Sequence, residues 1–516
     1  MKYILLLIII LTISTLQDNR AQSSGIKGKP NIIYILADDL GIGDISSFNK
    51  QGKIKTPNID QLAKEGMRFT DAHTSSSVCT PTRYSIMTGR YNWRTVLKKG
   101  VLKGTSPALI PKKRKTIASL LQSQGYVTAF IGKWHLGWNW AEIENPKGSP
   151  KKQSNYDYSK PISHSPNDLG FDYAYGINGS LDMGPYIYVE NRMPTAKTER
   201  IIDRKNGYAF RRKGLIATDF KHKEVTPNFI NRSIEYIKSK KDTKQPFFLY
   251  LPLPSPHTPI LPTEEFIGKS GINPYADFIM MIDTYLGTLF NTVKEQGLEN
   301  NTLIIFTSDN GTSPKANAKV LHQFGHHPTK HFRGMKASIF EGGHRVPFIA
   351  KWPGVISPNS VSDQTICTTD FYATCAEILN YEIPDNEGED SYSLVPLFKG
   401  KEISGNFREA TVHHSSGGFF SIRKGDWKLI LCKGDGGYKE LKELSETEAP
   451  EYQLYNLAED PSETNNLYRD SSTKYQELEQ LLIKYIEEGR STPGKVQKND
   501  AINFTWKQVG FLSKTN

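Results

Sequence analysis

The chain has 516 residues, 37% hydrophobic and 11% aromatic, which excludes a disordered chain and a single small core. One large domain with a smaller companion is expected. The net charge of +11 suits a polyanionic partner: nucleic acid, an acidic membrane surface or a sulfated glycan. Charge alone does not choose among these, or against a diffusely basic surface.

In chain order, Lys2 precedes the apolar run Ile4 to Ile13, and polar residues lead on to Ala21. This pattern predicts a secretory signal peptide over residues 1–21, hence a periplasmic or secreted protein. The run is short for a membrane span, no cysteine follows it to carry a lipid, and no later stretch could span. No stable membrane anchor is therefore expected. Asn31 to Ala37 (NIIYILA) reads as a buried strand, and Thr56-Pro57 opens a helix that Gly66 closes. Pro81 suits the first turn of a helix, Arg83 to Thr88 continue it and Gly89 stops it. Cys79 then lies at a helix N-terminus, where unpaired N–H groups and the dipole favour an anion.

Helices over Thr116 to Gln124, Thr226 to Lys238 and Tyr275 to Gln296 each lead to a strand: Tyr126 to Ile131, Phe247 to Leu253 and Thr302 to Ser308. This alternation predicts an α/β fold with a large, mostly parallel sheet covered by helices on both faces. Residues 140–225 are polar and weakly periodic and read as long loops and insertions. A hairpin around Lys424-Gly425-Asp426, the segment Gln453 to Leu457 and a charged helix from Lys474 to Glu488 suggest a smaller C-terminal α+β subdomain. The expected division is 28–400 for the main domain and 401–516 for the subdomain, with a tail from about Ser491 packed on the surface. The four cysteines, Cys79, Cys367, Cys375 and Cys432, are too few for a disulfide framework. Cys367 and Cys375 fall in a stretch read as helical, where roughly 12 Å would separate their Cα atoms. The three later cysteines are expected to be buried thiols.

Four polar clusters directly follow predicted strands: Asp38-Asp39, Lys133-Trp134-His135, Ser255 to Pro259 around His257, and Asp309-Asn310-Gly311. Parallel strands bring such clusters to one edge, where ligand sites of open α/β sheets form. Asp38, Asp39, Asp309 and Asn310 offer only oxygen, which suits Ca²⁺ or Mg²⁺. Adjacent carboxylates repel unless a cation lies between them. Arg83, Lys133, His135, His257 and Lys336 add a cationic set suited to a compact oxyanion. Each of these groups taken singly could equally cap a turn or sit in solvent.

The run Cys79-Thr80-Pro81-Thr82-Arg83, with Thr88-Gly89-Arg90 beyond it, resembles the signature of type I, formylglycine-dependent sulfatases. So do the paired aspartates, Gly132 to Gly137, Pro256 to Pro259, Asp309 to Gly311 and Arg333 to Lys336; the resemblance covers roughly residues 28–470. It implies an alkaline phosphatase-like fold and oxidation of Cys79 to Cα-formylglycine by a formylglycine-generating or sulfatase-maturating enzyme. It implies one Ca²⁺ held by Asp38, Asp39, residue 79, Asp309 and Asn310, with Mg²⁺ the less expected ion. Arg83 would activate the hydrated aldehyde, whose oxygen attacks sulfur. Lys133 and Lys336 would bind sulfate, His257 or Lys336 would protonate the leaving oxygen, and His135 would deprotonate the second hydroxyl so that sulfate departs.

The expected substrate is a sulfated carbohydrate rather than nucleic acid. Composition resembles that of marine Bacteroidetes, whose similar sulfatases strip algal polysaccharides. Ulvan is placed slightly ahead of carrageenan, agar and porphyran, and glycosaminoglycan remains open. Trp138, Trp140, Tyr173, Tyr175, Tyr186 and Tyr188 are candidates to stack on sugars or to be structural, and His164, His322, His326, His327 and Arg345 are candidates for substrate recognition. The alternatives are a formylglycine-dependent phosphonate or phosphodiester hydrolase and a non-catalytic glycan-binding protein.

Overall fold

The structure, a computed structural model, describes residues 28–144, 152–437 and 451–500. The predicted signal peptide and the chain beyond residue 500 lie outside the described residues. At the centre is a ten-stranded sheet. Its five middle strands run Thr302–Ser308, Asn31–Asp38, Phe247–Pro256, Val127–Lys133, Tyr173–Ile177 across the sheet, all parallel. Shorter antiparallel strands border them: Phe348–Lys351 on one side, Val189–Glu190 on the other. Asn31–Asp38 and Phe247–Pro256 are buried at every position, which is why they read as continuous apolar runs rather than alternating ones. Helices cover the sheet in two groups. Pro57–Lys64, Val225–Lys238 and Pro274–Glu295 form one; Cys79–Thr88, Ile117–Ser123 and Phe371–Ile378 form the other. Among the described residues no helix is long and apolar enough to cross a membrane.

The reading of residues 140–225 as loops needs correction. Tyr173–Ile177 joins the main sheet beside Val127–Lys133. Its five residues (YAYGI) show neither a long apolar run nor alternation, because Gly176 is required for contact. A Cβ there would meet the Gly132 carbonyl at 2.0 Å. Cys367 also departs from expectation. It ends the short strand Ile366–Cys367, while Cys375 lies in Phe371–Ile378, so the two do not share a helix. All four cysteines are free and buried.

The main apolar core runs to Phe398 in the chain, and a second one from Ala410 to Ile486 takes in Tyr91, Trp93 and Cys367. The second core lies between the four-stranded antiparallel sheet Thr411–His414, Phe420–Lys424, Trp427–Ile430, Gln453–Asn456 and the helix Ser472–Glu487. Residues 491–500 return to the main domain, where Ser491 N–H donates to Glu389 O and Asp500 N–H to Arg94 O.

A fully buried charge network joins the two parts. Lys428 Nζ lies 3.0 Å from Glu341 and 2.8 Å from Glu463, and Arg423 forks onto Asp71 at 2.9 and 2.8 Å. Burial alone would raise the Asp71 carboxyl; Arg345 and Arg423 outweigh it and hold it well below the usual range. Removing one partner of such a network leaves a buried charge uncompensated. Lys428→Met is therefore expected to lower unfolding free energy by about 3–5 kcal/mol, read by chemical denaturation. An unchanged midpoint would mean that the network does not hold the subdomain in place.

Candidate active site

Because the middle strands are parallel, their carboxyl ends share one edge, and the four sequence clusters meet there. Asp38 ends its strand, and Asp39 follows at φ +68°. Successive strand residues face opposite sides. The left-handed turn at Asp39 breaks that alternation and sends both carboxylates to one place; aspartate tolerates it better than most residues. Cys79 opens the buried helix Cys79–Thr88, which Gly89 closes at φ +63°. No side chain caps its N-terminus. Ligand atoms of Asp38, Asp39, Cys79 and His257 all lie within 4.8 Å of one another.

Cations surround this cluster. Cys79 Sγ is 3.5 Å from Lys336 Nζ and 3.8 Å from Asp38 Oδ1. Lys133 Nζ donates to Asp38 Oδ2. Lys336 Nζ donates to Asp39 Oδ1 at 2.5 Å, and Asn310 Nδ2 to the same oxygen at 2.7 Å. Arg83 forks onto Asp309 Oδ2 at 3.0 and 2.8 Å, and its third nitrogen donates to the Lys133 carbonyl at 2.7 Å.

Burial acts to raise both Asp38 and Asp309. At Asp38 the Lys133 ammonium, with His257, Arg83 and Lys336, outweighs it and holds the carboxyl far below the ordinary range. At Asp309 burial and the Asp38 charge prevail over Arg83, and the carboxyl is raised. Burial pushes the Cys79 thiol up to about 12 against the pull of Lys133 and Lys336. Asn310 Oδ1 is buried with no hydrogen-bond partner among the described residues. That orphaned oxygen beside three carboxylates is a hard donor set that fits a divalent cation such as Ca²⁺. Asp38, Asp39, Asp309 and Asn310 are the residues that could hold it.

The two histidines are set up differently. His135, at φ +55°, donates from Nε2 to the Leu102 carbonyl at 2.9 Å, which leaves Nδ1 as the basic nitrogen. His135 Nδ1 is buried with no hydrogen-bond partner among the described residues. Burial first, then the Lys133 and Arg83 charges, keep this ring neutral, well below 6.5. His257 Nδ1 donates to its neighbouring Thr258 carbonyl at 2.7 Å, and Nε2 lies 3.7 Å from Asp39 Oδ2.

Other sequence candidates fall elsewhere. The Arg345 guanidinium is taken up by Asp71 and Glu341 in the subdomain network, outside this cluster. His326 is buried against Asp44 at 2.9 Å, and His164 bonds the Ile110 carbonyl. His322 and His327 stack on each other and line a pocket of about 310 Å³ along the loop that precedes Lys336. Trp138, Trp140, Tyr175, Tyr186 and Tyr188 are buried in the core. Tyr173 is tied to Glu190 and Arg232. Their aromatic faces serve packing, because the loops that carry them fold inward to complete the sheet edge.

Sequence reasoning missed Ser180 and Thr80. Ser180 Oγ lies 3.0 Å from Lys133 Nζ and 3.2 Å from His257 Nε2. Thr80 Oγ1 donates to the His135 carbonyl at 2.9 Å. Ser180 follows the Tyr173–Ile177 strand, so it belongs to a fifth strand-end cluster, invisible once that strand is overlooked. Ser180→Ala should lower kcat/KM roughly tenfold or more by freeing the Lys133 and His257 side chains, with thermal stability unchanged. Equal loss of stability and activity would assign Ser180 to packing instead.

A family pattern described as Sulfatase matches residues 30–381, and one described as N-sulphoglucosamine sulphohydrolase, C-terminal, matches 331–492. An N-acetylgalactosamine-6-O-sulfatase of Bacteroides thetaiotaomicron is 33% identical over 496 residues, covering 88% of this chain and 92% of the relative. Arylsulfatase A of Bos taurus is 32% identical, covering 85% and 83%. A solved sulfatase structure, described under the metabolism of multiple glycosaminoglycans by Bacteroides thetaiotaomicron, superposes with a TM-score of 0.77 at 30% identity, covering 89% of this chain and 99% of that one. With an alkaline phosphatase-like sheet and these relatives, the protein is a hydrolase of sulfuric esters. The chain belongs to the sulfatase family.

Proposed function

We propose that this sulfatase removes sulfate from a sulfated carbohydrate, using residue 79 as formylglycine and a Ca²⁺ held by Asp38, Asp39, Asp309 and Asn310. The observation that carries this reading is the convergence of Cys79, at the start of a buried helix, with Asp38, Asp39 and His257 within 4.8 Å. When converted and hydrated, residue 79 supplies a hydroxyl nucleophile and a second hydroxyl through which sulfate is later expelled and the aldehyde restored. Bound calcium supplies charge neutralisation and polarises sulfate oxygens.

The chain's own groups do the rest. Lys133 and Lys336 bind sulfate oxygens and leave their aspartate partners to do so. Arg83 steadies the nucleophilic hydroxyl, as its place between Asp309 and the Lys133 carbonyl supports. His257, with Nδ1–H held by the Thr258 carbonyl, acts when doubly protonated and gives its Nε2 proton to the departing sugar oxygen as the S–O bond breaks. His135 Nδ1 takes the proton of the second hydroxyl, its tautomer set by Leu102.

The named relatives favour a glycosaminoglycan-type sugar carrying a 6-O-sulfate over ulvan. Conversion of residue 79 is checked by peptide mass after coexpression with a maturating enzyme. Sulfate release is then measured on N-acetylgalactosamine 6-sulfate and on glycosaminoglycan, ulvan, carrageenan and porphyran fragments. Release from the galactosamine compounds supports the reading; release only from ulvan fragments reverses the order. Cys79→Ala should abolish release, and retained turnover would sink the formylglycine reading. Asp39→Ala should reduce bound calcium, measured by elemental analysis. His257→Ala should cost sugar sulfates roughly 10²-fold more than an aryl sulfate, whose leaving group needs no proton. Equal losses would remove His257 from the acid role.

A further inference from the structure

A cleft of about 860 Å³ lies beside the active site, formed by residues 101–105, 152–154, 183–184, Ile201 and 212–215. Two of its walls start at the site itself. The carbonyl of Leu102 accepts from His135 Nε2, and its N–H donates to Thr80 Oγ1. Met183 and Gly184 follow closely on Ser180, which touches Lys133 and His257. The cleft therefore shares its wall segments with the surroundings of His135 and Ser180.

The walls are built rather than loose. The Gly104 carbonyl accepts from Trp140 Nε1 and Asn178 Nδ2, each at 3.0 Å. Gln153 Oε1 accepts from Leu215 N–H at 2.8 Å and ties opposite walls together. Arg212 is fixed by an ion pair with Asp182 and by Tyr186 OH on its carbonyl. The chemistry of the lining is one-sided. Lys103, Lys152, Arg212 and Lys213 are in it, and no carboxylate is among the described lining residues. Arg212 pairs with Asp182 behind the wall and Lys213 lies 3.7 Å from Asp203, whereas no carboxylate partner is found for Lys103 or Lys152 among the described residues. Apolar surface from Leu102, Met183, Leu215 and the 60%-exposed Ile201 supplies contact for the C–H face of a pyranose.

We propose that this cleft is the subsite for the next sugar of an oligosaccharide substrate and that it selects one bearing an anionic group, such as a hexuronate carboxylate. The proposal rests on the carbohydrate reading given above. It gives the protein a preference for chain fragments over free sulfated monosaccharides. Lys103 and Lys152 are the charges that discriminate.

The test uses the mature enzyme and its Lys103→Ala/Lys152→Ala variant. Both positions are exposed, so the fold is retained. The probes are a chondroitin 6-sulfate oligosaccharide, with its uronate, and an aryl sulfate. The readout is the ratio of kcat/KM on the two. The variant should lower that ratio roughly fivefold to tenfold, mainly through KM on the oligosaccharide. Raising salt should lower the wild-type ratio and leave the variant's nearly flat, because exposed charge pairs are screened. A ratio unchanged by the mutations, while the wild type turns over the oligosaccharide, overturns the subsite alone. Wild-type turnover of aryl sulfate without any sulfated oligosaccharide overturns the carbohydrate reading and the subsite with it.

Discussion

The constraint on which the site depends is the crowding of three carboxylates at neighbouring strand ends. Parallel pairing of Asn31–Asp38 with Thr302–Ser308 brings Asp38, Asp39 and Asp309 together in a buried place. Such a group cannot ionise there unless cations accompany it. Arg83, Lys133 and Lys336 supply them from a helix, a strand end and a loop, and each contact ties a separate element to the same point. The charges that let the fold close are also those to which the proposed function gives the sulfate group. Structure and chemistry are therefore not separable at this edge, and a change to any of these six residues acts on both.

The C-terminal subdomain has a part in this arrangement. The carbonyl of His414, at the end of its first strand, accepts from Ser77 N–H two residues before Cys79. Ser77 in turn accepts from Ala337 N–H, next to Lys336, and the Ala337 carbonyl accepts from Ser416. The subdomain thus holds the start of the Cys79 helix and the Lys336 loop in mutual register. Its buried network of Asp71, Glu341, Glu463, Arg423 and Lys428 fixes where it sits, since charges in the interior admit few alternative pairings.

The basic composition and the aromatic richness of the chain have different outcomes in space. The aromatic residues of positions 138–188 pack inward around the sheet edge, where Trp140 supports the Gly104 carbonyl from behind. The lysines and arginines nearby remain on the cleft rim. A loop region that looks promising for stacking sugars instead forms a backing, and the cleft beside it is lined by basic and smaller apolar side chains.

The candidate site residues are legible from the chain alone: Asp38, Asp39, Cys79, Arg83, Lys133, His135, His257, Asp309 and Asn310 stand in short motifs directly after apolar runs or near a helix start, and Lys336 stands in the loop motif Arg333 to Lys336. Asn31–Asp38 and Thr302–Ser308 were legible as short, largely apolar runs rich in isoleucine and bounded by polar turns. Three further points came from long-range packing. It placed Tyr173–Ile177 in the sheet and so brought Ser180 to Lys133, because that strand is stabilised by its neighbour's backbone rather than by its own pattern. Packing drew Arg345 into the subdomain network, because the distant Asp71 joins the nearby Glu341 in offering its partly buried guanidinium two carboxylates. It set Lys103, Lys152, Arg212 and Lys213 around one cleft, because such long-range assembly depends on which loops pack together, and loop packing leaves no periodic trace in sequence.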